Sequence, residues 1–294
     1  MSVKGLAETL PGVEVRHDIY PTIDPTSAWE TKSFKNKAVF ITGASRGIGR
    51  VTAITFAKAG AAIAIAARTD SALEETKADV LKEAPDAKVE KYIVDVKNTA
   101  QVEAAVEAAA AAFGRLDVVV ANAGALTSFE KTMDEKPAAG WWNTFEINVF
   151  GVYNAFRPAA KHLRKTNGTF IAISSLAAQL RWPGGSDYET SKHTVNRLIE
   201  FIAQENPTVK AFALHPGSIL TDMGHDSGLA GQGMPFPDTV ELPAVTMLYL
   251  ASGKADWLSG RFVEATWDLG QVEREWKDKI LEKDLLINKL DVVG

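Results

Sequence analysis

The chain has 294 residues, 46% of them hydrophobic and 23% charged, a composition that suits a soluble globular fold with room for a sizeable core. Lys and Arg total 32 against 37 Asp and Glu, a net charge of −5, with no basic patch to suit nucleic acid or an anionic membrane. Cysteine is absent, which excludes disulfides, thiolate zinc sites and a thiol nucleophile and fits a reducing compartment.

Residues 1–36 are polar and punctuated by Pro11, Pro21 and Pro25, with no sustained period of 2 or 3.6. They predict an extension wrapped over the surface, with Tyr20 and Trp29 as anchors. From Lys37 onward, short β-branched runs alternate with helical patterns. Strands are predicted at 38–42, 61–66, 89–94, 116–121, 168–174, 209–214 and 261–266. Helices are predicted at about 47–59, 70–84, 99–113, 138–165, 187–204, 239–252 and 271–286. Runs as apolar as Ala61 to Ala67 and Leu116 to Ala121 belong to strands buried on both faces of a parallel sheet. The alternation predicts a doubly wound α/β sheet of about seven strands with helices on both faces, and ligands at the carboxyl ends of the strands. One catalytic domain is expected over 37–270, followed by a C-terminal helical segment, 271–294. That segment reads as a docked amphipathic helix, with a subunit contact as the alternative. No stretch approaches the ~18 apolar residues of a membrane span, and the N-terminus lacks an apolar leader core, so a cytoplasmic protein is expected.

The first strand runs into Thr42-Gly43-Ala44-Ser45-Arg46-Gly47-Ile48-Gly49 and at once into a helical pattern. Glycines let the backbone bend through positive φ or approach a ligand, and a helix beginning there aims free N–H groups at an anion. The turn could therefore hold a pyrophosphate. Its pattern is G-x-x-x-G-x-G, not G-x-G-x-x-G, and a glycine turn that binds nothing is the competing reading. Other predicted strands end in Asp95-Val96, Asn122-Ala123-Gly124 and Ser174-Ser175, all on the same rim.

Tyr188 and Lys192, four residues apart, fall on one helix face. A nearby ammonium favours phenolate, so the pair could trade a proton with a carbonyl or alcohol oxygen that a serine hydroxyl polarises. Alone, Y-x-x-x-K occurs by chance in many helices, and surface decoration is then the favoured reading.

Together these residues resemble the short-chain dehydrogenase/reductase family over about Lys37 to Trp267. The likeness consists of T-G-x-x-x-G-x-G at 42–49, Asp95-Val96, N-A-G at 122–124, N-V-x-G at 148–151, I-S-S at 173–175, Y-x-x-x-K at 188–192 and P-G-x-x-x-T at 216–221. The resemblance implies a Rossmann-type fold and a catalytic set of Asn148, Ser175, Tyr188 and Lys192. Tyr188 would be the general acid in reduction and the base in oxidation. Lys192 would lower its pKa and bond the nicotinamide ribose. Ser175 would hold the substrate oxygen, and Asn148 a water on a proton path. Cofactor contacts would come from Gly43, Ser45, Arg46, Gly47, Ile48 and Gly49, from Asp95 and Val96 at the adenine, and from Asn122, Ala123 and Gly124. Asn122 looks the more structural of these, tying neighbouring strands together. Pro216, Gly217, Ile219 and Thr221 would line the nicotinamide amide.

The second strand ends in Ala67-Arg68, where an acidic residue would select NAD. With Arg46, two guanidiniums and no carboxylate suit the 2′-phosphate of NADP(H). NAD(H) is the less favoured cofactor, with Asp70 near enough to reach a ribose. Residues 222–238, rich in glycine and proline, read as a mobile lid. Its Met234 and Phe236, with Leu180 and Trp182, predict an apolar substrate wall. His215 reads as a satisfied structural histidine, and no cluster has metal-ligand spacing. The expected function is an NADP(H)-dependent carbonyl reductase or alcohol dehydrogenase acting on a hydrophobic ketone/secondary alcohol pair. The alternatives are an NAD-dependent alcohol dehydrogenase, a non-catalytic cofactor sensor or scaffold, and a dehydratase or epimerase. The helices 138–165 and 187–204 resemble the family's dimer-forming pair, which implies a homodimer or homotetramer.

Overall fold

The structure is a computed structural model and describes residues 10–290; residues 1–9 and 291–294, parts of the expected extension and C-terminal segment, lie outside the described residues. Strands β1 (Ala38–Thr42), β2 (Ala62–Ala67), β3 (Val89–Ile93), β4 (Val118–Ala121), β5 (Thr169–Ile173), β6 (Lys210–His215) and β7 (Arg261–Glu264) form one sheet. Its order is β3-β2-β1-β4-β5-β6-β7, and every pairing is parallel. Each residue of β1, β4 and β5 is buried, as expected for strands covered by helices on both faces. Chain order reverses between β1 and β4, and the crevice of such a sheet opens beyond the strand ends at that point.

The helices are α1 (Thr26–Glu30), α2 (Gly47–Lys58), α3 (Asp70–Glu83), α4 (Thr99–Phe113), α5 (Ala138–Phe145), α6 (Gly151–Thr166), α7 (Ser186–Glu205), α8 (Asp222–Asp226), α9 (Glu241–Ala251) and α10 (Leu269–Glu282). Local chemistry sets their ends. The Asn98 side chain caps α4 by accepting from Gln101 N at 3.1 Å, and Gly114 closes it at φ +74°.

Two expectations fail instructively. The helix predicted over 138–165 is not continuous: a π-helical turn, Glu146–Phe150, separates α5 from α6. Its wider turn turns Asn148 fully inward, where the side chain bonds the Ala125 backbone and Ser191. The last strand, predicted to 266, stops at Glu264, and beyond Ala265 the chain pairs with the N-terminal segment. Thr266 O accepts from Arg16 N at 2.7 Å, and Val15 bridges Trp267 in antiparallel fashion.

Residues 10–36 lie along the domain. Tyr20 is buried with its hydroxyl on Trp267 O at 2.7 Å, and Phe34 meets Phe56 edge-on at 5.2 Å. Trp29 Nε1 donates to Thr55 O at 3.2 Å. Helix α10 docks through buried Val272 and Ile280. Among the described residues no helix is long and apolar enough to cross a membrane.

Candidate active site

A cleft of about 890 Å³ opens at the carboxyl ends of the central strands. The glycine turn forms one side. A Cβ on Gly43 would lie 2.8 Å from Ala123 Cα, and one on Gly49 would lie 2.4 Å from Gly43 O. Only residues without a side chain let the turn close on the 122–124 loop. Gly47, at φ +51°, has nothing nearer its missing Cβ than Thr221 Cγ2 at 3.5 Å. The free N–H groups at the start of α2 therefore face an open cradle of the kind an anionic pyrophosphate fills.

At the outer rim Ala67 ends β2, and Arg68 beside it is exposed. Arg46 Nη1 reaches Asp222 Oδ2 at 2.6 Å across the cleft mouth, with both side chains well exposed. Asp70 is held by Lys91 at 2.7 Å. Asp95 Oδ1 accepts from Lys97 N at 3.0 Å, and Val94 to Val96 line the cleft. Asn122 Nδ2 donates to Thr42 O and Gly43 O at 3.1 and 3.0 Å, so its amide joins β1 to the end of β4.

At the inner end the two serines separate by role. Ser174 is buried and donates to Asn196 Oδ1 at 2.6 Å, whereas Ser175 lines the cleft beside Tyr188 and Lys192. Lys192 is buried, its Nζ donating to Ile173 O at 2.7 Å and standing 5.6 Å from the centre of the Tyr188 ring. Burial lowers this ammonium from 10.5 to about 8. For Tyr188, burial pushes the phenol above its usual value, with a hydrogen bond between it and Ser175 pulling the other way. Desolvation is the larger of these two influences on the phenol. Tyr188 stands protonated at neutral pH, poised to donate. Asn148 Oδ1 accepts from Ala125 N and its Nδ2 donates to Ala125 O, both at 2.8 Å, with a further 2.9 Å bond to Ser191. Its amide clamps the loop that follows Gly124.

Leu180, Trp182, Met234 and Phe236 all line the cleft, as do Pro216, Gly217, Ile219 and Thr221. Phe129 adds a wall that no motif signalled, edge-on to both Trp182 and Tyr188 at 6.4 Å. Glu189 also lines the cleft; burial raises it to about 7, and it accepts from Trp182 N at 3.0 Å. Both were missed because a lone residue in a loop or helix carries no periodic signal. His215 corrects an expectation: it is buried, but its Nδ1 has no hydrogen-bond partner, and burial lowers it to about 4. Within residues 222–238 lie α8 and a 3₁₀ turn, Ala230–Gln232, so part of the expected lid is helical. Among the described residues no group of three His, Cys, Asp or Glu could hold a metal.

Comparison with known proteins agrees with this geometry. The sequence profile described as short chain dehydrogenase matches residues 37–230. The short chain dehydrogenase pigC of Monascus ruber is 38% identical over 285 residues, covering 92% of this chain and 91% of the relative. Carveol dehydrogenase from Mycobacterium avium, solved with NAD, superposes with a TM-score of 0.71 at 25% identity, covering 78% of this chain and 96% of that one. An alcohol dehydrogenase from Thermococcus sibiricus, solved with 5-hydroxy-NADP, gives a TM-score of 0.68 at 28% identity, covering 78% and 95%.

Proposed function

The chain belongs to the short chain dehydrogenase family, and from that membership we propose an NADP(H)-dependent carbonyl reductase acting on a hydrophobic ketone or aldehyde. The reading rests above all on Tyr188, a protonated phenol beside Ser175 and above buried Lys192, at the inner end of a cleft walled by Phe129, Trp182, Met234 and Phe236. A reduced nicotinamide, when bound, supplies the hydride. The Ser175 hydroxyl holds the substrate oxygen, and Tyr188 passes its proton to that oxygen as negative charge develops on it. The Lys192 ammonium, fixed by Ile173 O, stabilises the phenolate left behind. Asn148 keeps the loop after Gly124 in register with α7 through Ser191. The apolar walls exclude water and favour a bulky apolar substituent.

The preference for NADP(H) draws on Arg46 and Arg68 at the rim and on Ala67 in place of a carboxylate. An NAD-dependent alcohol dehydrogenase is the second reading, favoured by the Arg46–Asp222 ion pair, which already occupies one guanidinium. Oxidation of NADPH and NADH in parallel against aliphatic, aromatic and polycyclic carbonyls, with Tyr188→Phe alongside, separates the two. Loss of NADPH oxidation in that variant is the expected result. Equal turnover by wild type and Tyr188→Phe would return the chain to the sensor reading.

The catalytic unit is read as one domain over 37–270, at work in the cytoplasm as a homodimer or homotetramer. Stacked Phe150 and Tyr153, 43% and 47% exposed, and Phe201, 51% exposed, support a helical subunit face. Light scattering on the purified protein tests it; a monomer at micromolar concentration removes it.

A further inference from the structure

The loop after β6 is held from outside the region that the family profile covers. Asp238, at the far end of the lid segment, has a side chain only 4% exposed. Its Oδ2 accepts from Ser218 N at 2.5 Å, and its own N donates to Ser218 O at 3.2 Å. Gly217 is at φ +102°, and a Cβ there would sit 2.8 Å from the same carboxylate oxygen. Glycine is needed at 217 as much for the approach of Asp238 as for the turn. The other oxygen, Oδ1, meets Nδ1 of His17 at 2.6 Å. A carboxylate only accepts, so the His17 Nδ1 carries the hydrogen. A buried carboxylate needs both partners, and one of them belongs to the N-terminal segment.

That segment is itself fastened on both sides of His17. Arg16 donates twice to Asp268 Oδ2, at 2.7 and 3.1 Å. His17 O accepts from Thr239 N at 3.0 Å, and Asp18 Oδ1 accepts from the Thr239 hydroxyl at 2.9 Å. The strap thus runs from the end of β7 to the end of the lid, and Asp238 links it to the loop Pro216–Thr221.

We propose that His17 is a positioning residue of the cofactor loop: through Asp238 it holds the Ser218 N–H and the lid's outer hinge, so that the grip on the nicotinamide cofactor depends on the N-terminal strap. The part concerning the cofactor rests on the function proposed above. The part concerning the loop does not. Removing the His17 imidazole leaves Asp238 with one partner, frees it to turn from Ser218, and loosens residues 216–221 and 238 together.

The test uses the full chain and three substitutions at one position with Arg16→Ala as the strap control. In His17→Asn the Nδ2 donor takes the place of Nδ1; in His17→Gln the donor lies one bond further out; His17→Ala has none. Amide exchange over 216–240, without cofactor, is expected to accelerate in His17→Ala and His17→Gln and to return to wild type in His17→Asn. NADPH binding, followed by quenching of tryptophan fluorescence, is expected to weaken about 3- to 10-fold in the first two and to recover in His17→Asn, the range expected for the net loss of one intramolecular hydrogen bond. Arg16→Ala is expected to lower thermal stability with a smaller change in both readouts. Equal exchange in wild type and the three His17 variants overturns the proposal, as does a loss in His17→Ala that His17→Asn does not repair. Should wild type bind neither NADPH nor NADH, the proposed function falls while the exchange pattern still decides the role of His17.

Discussion

Lys136 Nζ lies 2.5 Å from Asp187 Oδ1, and the two side chains are 1% and 0% exposed. Asp187 Oδ2 also accepts from the Thr144 and Thr127 hydroxyls, at 2.8 and 2.9 Å. One carboxylate thus ties the loop after β4 and helix α5 to the first turn of α7, directly before Tyr188. Burial alone would raise Asp187, but the bonds from Lys136, Thr144 and Thr127 outweigh it and hold it below the ordinary carboxylate value.

Lys136→Met is therefore expected to strand a buried charge and to cost about 3–5 kcal/mol. Thermal unfolding should show a fall in Tm of roughly 10 °C. Because the folded pKa is depressed, the pairing stabilises above the unfolded carboxylate pKa and is lost as pH falls through the folded one. The gap between variant and wild type should close in acid. A constant gap between pH 7 and the acid limit would show that the lysine acts by packing alone.

Tyr188→Phe is expected to lower turnover by about 10²–10⁴-fold with cofactor affinity little changed, since the lost group acts only on the reacting oxygen. In wild type, reductive kcat/KM should fall as pH rises through about 8, where Lys192 loses its charge. If Lys192→Met retains that inflection, another group is responsible.

Arg68→Asp places a carboxylate at the end of β2 where a 2′-phosphate would lie. The ratio of kcat/KM for NADPH over NADH is expected to drop by about tenfold or more, from lost attraction and new repulsion. The exposed Arg46–Asp222 pair contributes little to stability, about 0–1 kcal/mol. Arg46→Ala should consequently weaken NADPH binding without a matching fall in Tm. An unchanged cofactor ratio in Arg68→Asp would favour the NAD reading.

Glu264 faces His215 in the register of β6 and β7, and each has a buried atom without a hydrogen-bond partner. Burial raises Glu264 from 4.5 to about 7, with the Thr266 hydroxyl opposing, and lowers His215 from 6.5 to about 4. Between about 4.5 and 7 the folded Glu264 binds the proton that the unfolded one has lost, so its contribution to stability declines as pH rises. Between about 4 and 6.5 His215 does the reverse and masks part of that slope. Glu264→Gln is expected to be near neutral at pH 4.5 and to stabilise by about 2–3 kcal/mol at pH 8. Denaturant melts at the two pH values decide it; equal shifts at both would mean that Glu264 is not protonated in the folded state.

Apolar runs such as Ala38–Ile41 and Val118–Ala121 carried the sheet in their composition, because a strand covered by helices on both faces buries its side chains on both. The glycine turn was equally legible, since Gly43 and Gly49 stand where any Cβ would strike backbone at 2.8 and 2.4 Å. Tyr188 and Lys192 were placed on one helix face by their spacing alone. The protonation of that pair was not legible in the spacing. It depends on burial by residues distant in the chain, which raises Tyr188 and lowers Lys192. The break at Glu146–Phe150 depends likewise on Ala125 and Ser191, partners that a helical period cannot register.

Local pattern, then, determined which strands and helices form, which rim they share and which chemical groups stand on it, because these follow from side-chain periodicity and from the backbone freedom of a few residues. Tertiary structure alone decided what those groups experience. The Phe129 wall, the Lys136–Asp187 tie and the reach of His17 to Asp238 each join segments far apart in sequence, from 51 positions for the tie to 221 for His17 and Asp238. Contacts of that range arise only when the sheet order β3-β2-β1-β4-β5-β6-β7 folds the chain back on itself, and burial in that fold sets the strength of the charges at the inner end of the cleft, Lys192 and Glu189.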